Sequence, residues 1–203
     1  MKNRIHSILV LFILSYSQLL NAEIIIEGSS DFQAKVRGNL AEARTASTHL
    51  AKLILNAERT PAKITIKPIT DDRSTWHKSG KKSRSHTKAL DNKRRGAERD
   101  SSTDSIIYIN RNRITRSHKT YKSGTLIHEI VHALDLANGN YHGRYPLREK
   151  RAVFFQNIWR DKQVKKLRSD YHGRFKTIEY QNAKKARQVN FFVDYYFENN
   201  DIP

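Results

Sequence analysis

The chain has 203 residues, and 38 Lys and Arg set against 20 Asp and Glu give it a formal charge of +18. That length suits one domain with its own core, and the absence of cysteine excludes both disulfide stapling and a lipoprotein anchor. The charge raises solubility and draws the protein towards polyanions (acidic proteins, anionic lipid surfaces or nucleic acids) while saying nothing about fold.

Residues 1–22 have the pattern of a signal peptide. Lys2 and Arg4 form a basic start, Ile8 to Leu14 a strongly apolar run, and Ala22 a small residue suited to cleavage before Glu23. Ser15, Ser17 and Gln18 interrupt the run, which falls short of the ~20 residues of a spanning helix. No other stretch is apolar enough to cross a bilayer, so no transmembrane segment is expected. The pattern predicts an exported protein, secreted or periplasmic in a bacterium, with residues 23–203 as a single domain.

Glu23 to Glu27 reads as a short buried strand ahead of Gly28. Ser29, Ser30 or Asp31 then caps a helix with Phe32, Val36, Leu40 and Ala43 on one face, and a second helical or turn-rich piece carries Leu50, Leu53 and Ile54. Beyond Pro61, the alternation Ile64-Thr-Ile66-Lys-Pro68 predicts a half-buried strand.

Residues 69–104 are nearly devoid of apolar side chains and hold the densest positive charge, from Arg73 to Arg99. A solvated, flexible loop is the expectation; a polyanion-binding loop or a determinant of substrate choice is the functional alternative. Trp76 is the only aromatic interleaved there, so the stacking platform of a single-strand nucleic-acid binder is missing and no specific nucleic-acid partner is expected. Ser105 to Ile109 follows as a compact strand. It is a candidate for the edge strand along which an extended substrate adds its main chain, with a core strand as the alternative.

The chemistry concentrates in Leu126-Ile-His128-Glu129-Ile-Val-His132-Ala-Leu-Asp135. Residues four apart share a helix face, so His128 and His132 can direct imidazole nitrogens at one ion. Glu129 points elsewhere and can reach a water at that ion, which makes it the candidate general base of a zinc hydrolase. Leu126, Ile127, Ile130, Val131, Leu134 and Ala137 supply a core stripe, so a buried Glu129 requires a partner. Ser123 or Thr125 is a candidate cap and Asn138-Gly139 a stop.

A catalytic zinc takes three protein ligands and leaves a position open. His142, in the loop after the helix, and Glu149, opening the next helix from Leu147 to Asn157, compete for third place. Asp135 is better suited to orient a ligand histidine. Tyr141, His142, Tyr145, Tyr180, Tyr195 and Tyr196 are candidate oxyanion donors. In the tail, His172 reads as a loop residue, and Ala183, Ala186, Val189, Phe192, Val193 and Tyr196 predict one helix from Asn182 to Phe197.

From the opening strand through the Ile-Thr-Ile strand to Leu126–Asp135 and then Glu149-Lys-Arg-Ala-Val ahead of Gln156-Asn157, the chain resembles bacterial effector-type zinc metallopeptidases of the NleD kind. The resemblance implies a zincin-like α+β fold, a small mixed sheet packed on the HExxH helix and further helices. It also implies a zinc endopeptidase acting on proteins, with His128, His132 and Glu149 as metal ligands and Glu129 as catalytic base. The expected protein is a monomer whose substrates include acidic proteins. The alternative is a basic protein that binds anionic lipid or nucleic acid on an inactive zincin fold.

Overall fold

A computed structural model of the chain describes residues 24–69, 85–90, 102–110, 119–139, 145–169, 176 and 178–199, with the main chain alone at 119–123 and 145. The signal segment, most of the basic stretch and Arg111, Arg113 and Arg116 lie outside the described residues.

Two residues, Ile25–Ile26, form β1. The chain then enters α1, Ser30–Ala46, where Ser29 caps by accepting from the Phe32 N–H. Ser47 ends α1 and caps α2, Thr48–Arg59. Their buried side chains are Phe32, Val36, Leu40 and Ala43, then Leu50, Leu53, Ile54 and Ala57, the faces that helical spacing marked. β2, Ile64–Pro68, runs parallel to β1, so the helix pair is the crossover that this pairing needs.

Strand β3, His86–Ala89, lies within the stretch expected to be loop. It pairs antiparallel with β4, Ser105–Ile109, which runs parallel to β2. Among the described residues the order is β1-β2-β4-β3, which decides residues 105–109 for the core-strand alternative: β4 has neighbours on both sides, and β3 is an edge. Within the β3–β4 register Thr87 stands opposite Ile107 and Ala89 opposite Ser105. Opposed residues of an antiparallel pair point to one face; Ile107 belongs to the core there.

Helix α3, Lys119–Ala137, packs against β3, β4, α1, α2 and α4. It starts before the predicted caps Ser123 and Thr125. Every residue from Leu126 to Ala137 is buried, so this is a central helix enclosed all round. Gly139, at a φ of +73°, turns the chain out of it, and the Thr103 N–H donates to the Leu136 carbonyl near its end. Helix α4, Tyr145–Lys162, approaches α3 closely at Gly124, where a Cβ would meet Trp159 Cδ1 at 3.1 Å.

The tail holds two helices where one was expected, α5, Glu179–Lys185, and α6, Val189–Asn199. Arg187, at a φ of +57°, breaks the run, and Ala186 is exposed rather than core. Among the described residues, then, six helices and a four-stranded mixed sheet make an α+β fold. None of these helices is long and apolar enough to cross a membrane.

Candidate metal centre

Helix α3 presents His128 and His132 one turn apart, with their Nε2 atoms 3.2 Å from each other. Helix α4 brings Glu149 to the same point: its Oε2 lies 3.2 Å from His128 Nε2 and its Oε1 3.5 Å from His132 Nε2. All three residues are buried. Glu149 Oε2 is buried without a well-aligned hydrogen bond. A tetrahedral ion with ~2.1 Å bonds sets its ligands ~3.4 Å apart; each imidazole stands near that distance from the other and from one oxygen of Glu149, and one ligand atom from each residue lies within 4.8 Å of the others. The residues fit a divalent metal.

The electrostatics agree. Burial opposes ionisation of Glu149, yet the two imidazoles hold its carboxyl well below the usual carboxylate range. Burial likewise pushes His132 down, but Glu149 outweighs it, with smaller help from Glu129 and Asp135, and its pKa is raised. Carboxylates thus give this point a field that favours positive charge.

Glu129 stands next on the helix, 5% exposed. The partner that its burial demands is the Thr87 hydroxyl on β3, 2.9 Å from Oε2 and 3.0 Å from the Glu129 carbonyl oxygen. Sequence reasoning missed Thr87. A β-branched residue in a polar run was the one local hint; its strand forms through pairing with β4.

Asp135 takes a different place from the one expected. Arg151 on α4 donates to its Oδ2 and Tyr196 on α6 donates to its Oδ1. His132 Nδ1 meanwhile stays buried without a hydrogen-bond partner, so Asp135 braces α3 against α4 and α6 instead of gripping the imidazole. The same bond removes Tyr196 from the candidate oxyanion donors, and Tyr180 is engaged by Asp161. Tyr195 lies against Phe191 on α6. The side chains of Tyr141, His142, Tyr145 and His172 are outside the described residues.

Asn157, fully buried on α4, secures the segment beyond that helix by bonding both the N–H and the carbonyl of Arg168, at 2.8 and 2.9 Å. Gln156 accepts from the Arg168 guanidinium. These two residues fix the backing of the helix that carries Glu149.

A family model described as an effector protein, Peptidase_M91, matches residues 21–186. Neither a curated protein nor a solved structure matches the chain.

Proposed function

This chain belongs to the Peptidase_M91 effector-protein family, and on that premise we propose that it is a zinc-dependent endopeptidase of zincin-like architecture. His128, His132 and Glu149 are its metal ligands and Glu129 its general base. The observation that supports this best is the convergence of two imidazole nitrogens and a buried carboxylate on one point. Two histidines with one carboxylate form a recurrent set in zinc hydrolases.

Bound zinc supplies a Lewis acid that lowers the pKa of a water towards ~7 and polarises a carbonyl. The chain does the rest. His128 and His132 are held on an enclosed helix, so their imidazoles need little reorganisation. Glu129 takes the proton of the attacking water and delivers it to the leaving amine nitrogen as the peptide bond breaks. Strand β3 is the sheet edge beside Glu129, where an extended substrate would align its main chain by strand addition.

The substrate class is protein, and a net charge of +18 favours acidic segments. The apolar run ahead of Ala22 supports export, to a secreted or periplasmic location.

Peptide hydrolysis by wild type and by Glu129→Gln, each with its metal content measured, tests this function. The variant should keep zinc and lose roughly 100- to 10,000-fold in rate. Equal hydrolysis by both would overturn the assignment.

A further inference from the structure

We infer that Thr87 is a positioning residue for the general base, tying the orientation of the Glu129 carboxylate to the edge strand that receives the substrate. The inference deepens the proposed peptidase function and rests on it.

An ionised carboxylate only accepts hydrogen bonds, and a threonine hydroxyl has one proton to give. Thr87 Oγ1 sits 2.9 Å from Glu129 Oε2 and 3.0 Å from the carbonyl oxygen of the same residue. One hydroxyl therefore faces both ends of Glu129. It can serve either acceptor, and it holds the side chain in a single relation to its own main chain. Among the described residues Thr87 is the hydrogen-bond partner of this carboxylate, and it engages Oε2, which leaves Oε1 as the oxygen to meet the attacking water.

The placement depends on the sheet. Thr87 reaches α3 because it shares a face with Ile107, its opposite number on β4. Its neighbours His86 and Lys88 alternate to the other face and are exposed. A substrate strand added to the edge of β3 that has no partner among the described residues would be bonded to the same backbone that carries Thr87. Substrate register and base orientation are then set by one four-residue element.

The test uses the full-length protein with Thr87→Val, which keeps shape and strand preference but lacks the hydroxyl, and Thr87→Ser, which keeps the hydroxyl. Thr87→Val should lower kcat about 10- to 100-fold, the range for partners that orient a site's working groups, with KM and zinc content near wild type. Thr87→Ser should restore most of kcat.

An unchanged kcat in Thr87→Val overturns the inference. So does an equal loss in both variants, or a loss of zinc that tracks the loss of rate. Wild type that hydrolyses no peptide would count against the peptidase function, and crystal structures of wild type and Thr87→Val then decide the role of Thr87 separately. A Glu129 carboxylate displaced or disordered in the variant supports it, and one left in place overturns it.

Discussion

Arg151 places two N–H groups on a single oxygen of Asp135, its Nη2 at 2.9 Å and its Nε at 3.3 Å, and both side chains are almost solvent-free, at 3% and 0% exposed. The pair locks α3 to α4 sixteen residues apart, just beyond the turn that carries His132. Burial pushes the Asp135 carboxyl up in spite of Arg151, His132 and Tyr196, so the carboxylate depends heavily on its partners. Arg151→Leu should destabilise the fold by about 3–5 kcal/mol, the cost of an uncompensated buried charge. Adding Asp135→Asn should recover part of that loss. Urea unfolding of both variants checks the prediction, and equal stability of the single and double variants would refute it.

Metal content by mass spectrometry should assign the third ligand. Wild-type protein is expected to carry one zinc, His128→Ala and His132→Ala to lose it, and Glu149→Ala to bind it more weakly. His142→Ala should retain it. A zinc lost from His142→Ala but kept by Glu149→Ala would transfer the third place to the loop.

Asp161 predicts a specific acid limb in the stability profile. Burial would raise its carboxyl, but Lys184 at 2.6 Å and the Tyr180 hydroxyl at 2.9 Å outweigh that and lower it from 3.8. A carboxylate with a lowered folded-state pKa stabilises above its unfolded value and loses that contribution as pH falls through the folded one. The loss therefore falls below pH 3.8. Thermal melts of wild type and Asp161→Asn should differ at neutral pH and converge in that range. A gap that stays constant with pH would show that the carboxylate's charge plays no part.

Val164 gives a stability prediction of opposite sign. It occupies the left-handed region at a φ of +52° just past α4, with 93% of its surface exposed. A β-branched residue there carries strain and gains no packing in return. Val164→Gly should raise stability by about 1 kcal/mol, read from the midpoint of chemical unfolding. A lower midpoint would mean that the valine makes contacts that offset its backbone.

Much of the architecture was legible because burial and periodicity coincide. Phe32, Val36, Leu40 and Ala43 recur at helical spacing and are buried together; Ile64-Thr-Ile66 became a strand as expected, but not a half-buried one, because Thr65 is buried with its neighbours. His128, His132 and Glu149 were legible as a possible metal set because ligand chemistry restricts residue type as well as spacing. The illegible parts depend on tertiary contacts. His86-Thr-Lys-Ala89 lacks an apolar alternation, and its strand conformation comes from β4. The break between α5 and α6 falls at Arg187, which no glycine or proline announces. Asp135 suited a histidine partner by spacing, but Arg151, which became its partner, lies on another helix.

The two halves of the site differ in how far the chain must travel to build them. His128, His132 and Glu149 lie on adjacent helices joined by one short connection, whereas Thr87 and Glu129 are 42 residues apart and meet only when a sheet strand docks. Closing the longer loop costs more entropy, and contacts of that kind form later in folding. Trp159, packed at the α3–α4 crossing beside Gly124, should report helix docking during refolding before activity returns. The chain would then gather its ligands while Glu129 is still unrestrained, so the capacity to hold an ion matures ahead of the capacity to cut.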